Sequence, residues 1–119
     1  MLIKKIVCET DAANAEAFAQ AQSRWGALSC VNGFVKQAGG WRKNADGLFI
    51  AEIISVWENR QVYDDFMENE HDRIYEENEQ KAAILSIEVM LYEEDEPVIH
   101  ELLHHPDIRY EPDWTVLKA

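Results

Sequence analysis

The sequence predicts an α+β domain built on an antiparallel sheet, and three observations carry that expectation. Runs rich in Ile and Val alternate with stretches of helical apolar spacing, in the order strand, helix, strand, strand, helix, strand. With 119 residues there is room for one core. A content of 47% hydrophobic and 10% aromatic residues is enough to fill it, which excludes disorder.

Residues 2–9 read as the first strand, ended by Thr10-Asp11. Asp11 is placed to cap the next helix, where Ala13, Ala17, Phe18, Ala21 and Trp25 recur three and four residues apart; Gly26 is its expected stop. Residues 30–42, with Val31, Phe34 and Val35, form the second strand, and Gly39-Gly40 within it predicts a bulge or a close backbone approach. Asn44-Ala45-Asp46-Gly47 has the composition of a hairpin turn. The third strand, 48–57, is apolar on both faces. Leu48, Ile50, Ile54 and Val56 alternate with Phe49, Ala51, Ile53 and Trp57, interrupted only by Glu52 and Ser55. A sheet with one face in water would show polar residues there, so both sides are expected to be covered. Helices cover one, and in so short a chain the other predicts a second copy, hence a homodimer.

Helical spacing returns over 58–83 with Val62, Phe66, Met67 and Ile74. Glu68, Glu70, Asp72, Glu76, Glu77 and Glu79 form its solvated face. Residues 85–92 alternate as a fourth strand, completing βαββαβ, the ferredoxin-like plan, over a domain of residues 1–95. After the acidic break at 93–96, residues 96–119 form a C-terminal tail with a short helix over 97–105. Its isolated aromatics, Tyr110 and Trp114, are expected to pack on the domain or on its dimer partner.

Eleven Lys and Arg against 23 Asp and Glu give a net charge of −12. Nucleic acids bind by releasing counterions to a cationic surface, and anionic membranes repel acidic proteins, so neither is an expected partner. No apolar run approaches the roughly 20 residues of a membrane span. The three apolar residues after Lys4-Lys5 fall short of the about 7–15 of a signal peptide. Cys8 and Cys30 lie outside any CxxC pair and read as buried free thiols of a cytoplasmic protein. The chain has no GxSxG, P-loop or GxGxxG motif, so serine-hydrolase and nucleotide chemistry lack support, and no cofactor is expected.

His71 is the candidate catalytic residue. It shares a helix face with Met67 and Tyr75, and neighbouring Asp72 and Arg73 can tune its charge near neutral pH. The alternative is a histidine that hydrogen-bonds across the helix–sheet or dimer interface. Trp57, Tyr63, Phe66, Phe34 and Trp41, with Trp25, could line a flat apolar pocket for an aromatic ligand, or simply form core. Arg24 and Arg42 could orient an anionic or phenolate ligand, or pair with surface acids. His100-Glu101-Leu102-Leu103-His104 matches HExxH, in which two histidines hold zinc and the Glu activates water. Here Val98, Ile99, Leu102 and Leu103 make the apolar side of the helix, both histidines point away from it, and Pro106 follows at once. The expectation is a solvated helix face and no metal centre, with metal binding by His100 and His104 as the alternative.

Val31-Asn32-Gly33-Phe34-Val35, then Val56-Trp57-Glu58-Asn59, then Tyr63, Phe66 and His71 resemble the dimeric α+β barrel superfamily of antibiotic-biosynthesis and heme-degrading monooxygenases. The resemblance covers about residues 2–92, and the whole chain is similar to the YdbC-like family of bacterial proteins of unestablished function. It implies a barrel of two sheets and a pocket between helix and sheet with His71, fourteen residues beyond Trp57, as a proton carrier. Heme-degrading members carry an Asn on the first strand, a Trp nine residues after the sheet-ending Trp and a His nineteen after it. Here those places hold Val7 or Cys8, Phe66 and Glu76, so the usual heme ligand is missing. The functional expectation is a cofactor-independent monooxygenase-like enzyme or a binder of a small aromatic compound. A non-catalytic stress or ligand-sensing dimer is the alternative.

Overall fold

A computed structural model describes residues 1–42, 48–69, 71 and 86–119. The elements are β1 (Leu2–Thr10), α1 (Ala15–Gln22), a 3-10 turn (Trp25–Cys30), β2 (Phe34–Arg42), β3 (Phe49–Trp57), α2 (Arg60–Asn69), β4 (Ser86–Glu93), α3 (Glu96–Leu103), β5 (Ile108–Tyr110), a second 3-10 turn (Pro112–Trp114) and β6 (Val116–Leu117). The strands form one sheet in the order β4-β1-β3-β2-β5, with β6 also on β2, and every pair is antiparallel. This is the ferredoxin-like α+β fold. The hairpin turn expected at 44–47 and the predicted helix beyond residue 71 lie outside the described residues. Among the described residues no helix is long and apolar enough to cross a membrane.

Local chemistry moves several boundaries from their predicted places. Asp11 does not cap α1; its Oδ1 accepts from the backbone N and the Nδ2 of Asn14 at 2.9 and 2.8 Å, closing a turn in front of the helix. The N-cap position falls to Asn14. Gly26 is not a stop, because Trp25 and Leu28, three residues apart, stack along a 3-10 turn and bury together. That turn occupies the predicted start of the second strand, so β2 begins at Phe34. Gly33, at φ 84°, makes the join, its carbonyl accepting from the Glu58 N–H at 2.8 Å. The register shift in β2 falls between Phe34 and Lys36. Gly39-Gly40 marks the close approach: a Cβ on Gly40 would collide with the carbonyl oxygen of Arg109 and stand 2.6 Å from the Cα of Tyr110.

Strand pairing aligns Leu2, Lys4, Ile6 and Cys8 with Trp57, Ser55, Ile53 and Ala51 on the face beneath α1 and α2. The opposite face carries Ile3, Lys5, Ile54, Val56 and Glu52. Its apolar part is buried by Ile99 and Leu103 of α3, which corrects the expectation that only a second copy could cover it. Beside this patch Glu52, 4% exposed, is held by Lys5 at 2.7 Å and Arg42 at 2.5 Å. Burial alone would raise its pKa, but the hydrogen bonds from Arg42 and Lys5 outweigh that and hold it below the ordinary carboxylate value.

The tail wraps the β2 edge from one face to the other. After α3, β5 pairs with residues 40–42 at the edge of the sheet. The chain then tucks Trp114 beneath α1, where it is 1% exposed against Phe18 and Trp41 and donates from Nε1 to the Ala19 carbonyl at 3.2 Å.

Candidate functional site

A cavity of about 220 Å³ opens between the helices and the sheet. Its floor is Lys4, Ile6 and Cys8 of β1, Ile53, Ser55 and Trp57 of β3, Gln37 of β2, and Ile87 and Val89 of β4. Its roof is Gln22, Trp25 and Leu28 from α1 and the turn after it, with Tyr63, Phe66, Met67 and His71. An apolar cavity of about 150 Å³ takes a benzene ring, so this one has room for a larger aromatic.

Of the residues singled out by sequence, Trp25, Trp57, Tyr63, Phe66 and His71 meet here. Trp57 is the hub, with Phe66 at 4.9 Å and Tyr63 at 5.6 Å between ring centroids. Its indole N–H donates to Ser55 Oγ at 3.1 Å, which fixes the ring plane. His71 is half-buried at the rim, its ring 5.6 Å from Trp25 and 5.8 Å from Phe66. Met67 joins this wall as the helical spacing requires, while Tyr75, Asp72 and Arg73 lie outside the described residues.

Phe34 and Trp41 do not line the cavity. Phe34 is fully buried behind Trp57, edge-on at 5.4 Å. Trp41 packs against Trp114, Phe18 and Phe49, because the tail brings a second aromatic cluster to that end of the sheet. Arg42 is on the opposite face with Glu52, and Arg24 is exposed in front of the 3-10 turn. Cys8 is buried, and burial pushes its thiol up to about 12. Cys30, expected to be buried, is exposed because it ends the 3-10 turn instead of starting a strand.

His100 and His104 lie on the exposed side of α3 with rings 4.2 Å apart, and His104 Nδ1 is 2.8 Å from the His100 carbonyl. Among the described residues no group of three His, Cys, Asp or Glu could hold a metal ion. Ile99 and Leu103 carry the buried side of the helix; Val98, placed there by the wheel, is 38% exposed at its edge.

Sequence reasoning missed the most unusual group of the site. Lys4 is only 6% exposed, with its Nζ 3.6 Å from Met67 Sδ and 5.1 Å from the centre of the Tyr63 ring. Loss of hydration lowers its pKa from 10.5 to about 8. The signal was the two-residue period of β1, which puts Lys4 in phase with Leu2, Ile6 and Cys8.

Three solved structures share this architecture. A candidate antibiotic-biosynthesis monooxygenase from Bacillus cereus aligns over 76% of this chain and 89% of its own, with TM-score 0.58 and 12% identity. Another, from Nitrosomonas europaea, aligns over 79% and 98%, with TM-score 0.56 and 14% identity. SnoaB, a cofactor-independent oxygenase from Streptomyces nogalater, solved as a point mutant, aligns over 80% and 94%, with TM-score 0.54 and 14% identity. At such identities the likeness establishes the fold. The sequence itself is 75% identical, over all 119 residues of both chains, to the uncharacterised protein YdbC of Bacillus subtilis (strain 168). Residues 2–92 match the family described as a domain of unknown function, DUF4937, and with a match of that extent the chain belongs to this YdbC-like family.

Proposed function

We propose that this protein binds a small aromatic compound in the cavity beside His71 and acts on it as a cofactor-independent monooxygenase-like enzyme, working as a homodimer. The observation that carries the reading is the cavity: about 220 Å³, walled by Trp25, Trp57, Tyr63 and Phe66, with one imidazole at its rim. An electron-rich hydroxyarene is a better electron donor to O2 once its phenolic proton is gone, and His71 is the group to take that proton. The fold shared with SnoaB, itself a cofactor-independent oxygenase, supports the same reaction class. Support for the dimer comes from the resemblance to dimeric barrels and from β4, which pairs only with β1 among the described residues and leaves Ile87 and Val89 about half exposed.

The test is oxygen uptake with one- and two-ring quinols, measured above their uncatalysed oxidation. The expected result is turnover, lowered about a hundredfold in His71→Ala. Equal activity in that variant would remove the role of His71. Binding of the same compounds without oxygen uptake would leave a ligand-sensing dimer in place of an enzyme.

A further inference from the structure

Four of the six buried polar or charged side chains of the described residues, Lys4, Gln22, Gln37 and Ser55, line this one cavity. Three of them form a row across the sheet, because Ser55 of β3 pairs with Lys4 of β1 on one side and Gln37 of β2 on the other. A buried charge is normally matched by an opposite one, as Glu52 is by Lys5 and Arg42 on the opposite face. Lys4 has no such match among the described residues; its polar contacts are a thioether and a tyrosine ring. Ser55 Oγ accepts from Trp57, which leaves its O–H to donate. The middle of the floor thus offers an ammonium and, beside it in the row, the Ser55 hydroxyl as a donor, within a wall that is mostly aromatic and aliphatic.

We propose that the cavity takes a flat aromatic oxyanion, an aryl carboxylate or phenolate, whose charged oxygen pairs with Lys4 and accepts from Ser55 while its rings lie among Trp25, Trp57 and Phe66. This rests on the aromatic-ligand reading above and gives that ligand a charge. The anion supplies the partner that Lys4 lacks among the described residues, and the ammonium holds a phenolate in its deprotonated form. Because the lysine is desolvated, the ion pair forms in a medium of low dielectric, where it is far stronger than on the surface.

The test compares 2-naphthoate with its neutral isostere 2-naphthamide by quenching of tryptophan fluorescence and by calorimetry at pH 7. The expected result is at least tenfold tighter binding of the carboxylate, a preference that Lys4→Met abolishes and Ser55→Ala reduces. In the unmodified protein the affinity for naphthoate should fall as pH rises through 8 to 9.5, while that for the amide stays flat. Among the described residues the other titratable groups lining the cavity are Cys8, Tyr63 and His71. Burial raises the pKa of Cys8 to about 12 and moves that of Tyr63 upward, so neither takes over this step. His71 is retained in Lys4→Met, so a pH step that persists there would assign the effect away from Lys4 and overturn the proposal. Equal affinity for the two probes, unchanged in Lys4→Met, would overturn the anionic ligand and leave the aromatic cavity intact. Failure of both probes to bind at millimolar concentration would overturn both readings.

Discussion

Burial of its charge makes Lys4 destabilising where it stands. Its pKa falls from 10.5 in the unfolded chain to about 8 in the folded protein, so between those values the unfolded state binds more protons and stability rises with pH. At pH 7 both states are charged and the penalty is present in full, on the order of 3 kcal/mol from the size of the shift. Lys4→Met, close in volume and apolar, is therefore expected to be more stable than the unmodified protein at pH 7, by on the order of 2–3 kcal/mol. That gain should shrink toward pH 10.5. Denaturant unfolding of both proteins across this range checks it, and a less stable variant at pH 7 would refute it. A residue that costs stability and lines a cavity is a reasonable place to seek function. The aromatic wall was legible in the sequence because Phe66 and Met67 follow helical spacing and Trp57 ends a two-faced strand. Lys4 was not, because a lysine is usually at the surface, and only the phase of its neighbours in β1 shows otherwise. Phe34 and Trp41 were misplaced for a different reason: periodicity gives a face of the sheet but no position on it, and there Phe34 sits behind Trp57 while Trp41 belongs to a second cluster.

At the scale of elements, the pairing of β2 with β5 turns on Gly40. Gly40 lets β5 approach so closely that any side chain would meet the backbone at Arg109 and Tyr110, and next to it the Glu111 N–H donates to the Gly39 carbonyl at 2.9 Å. Gly40→Ala is expected to cost about 2 kcal/mol, within the range for overpacking, and to free the β5 amides. Thermal unfolding together with amide exchange at residues 109–111 would measure both effects. Gly26→Ala is the control, because a Cβ there meets nothing within 4 Å. Unchanged exchange in Gly40→Ala would show that β5 is held by something other than this contact. The glycine pair announced a close approach in the sequence, but the partner could not be read, since β5 is three residues long and carries no strand pattern of its own. The HExxH segment shows the opposite case. Its apolar spacing alone indicated which side of α3 would be buried, and the paired histidines are on the exposed side.

At the scale of the molecule the tail decides how the sheet is covered. The apolar opposite face of β3 argued for a second copy, yet α3 of the same chain buries Ile3, Ile54 and Val56. The sequence could not show this, because a helix that follows a complete βαββαβ unit has no fixed place in that plan. Ile99, Leu103 and Trp114 are at most 5% exposed, and each such side chain contributes about 1.5–3 kcal/mol by burial. Together they amount to a large part of the about 5–15 kcal/mol that stabilises an ordinary domain. Deleting residues 96–119 should therefore leave a chain that aggregates or no longer unfolds cooperatively. A dimer, in turn, must be built without the patch under α3, and among the described residues β4 with Ile87 and Val89 offers an apolar edge for it. Light scattering on the full chain at micromolar concentration is expected to give twice its 13.8 kDa mass. Val89→Lys or Val89→Glu, on the strand but outside the buried clusters, should shift it toward monomer with little loss of thermal stability. A monomer at every concentration would mean that the tail has replaced the second copy, and that the cavity is completed within a single chain.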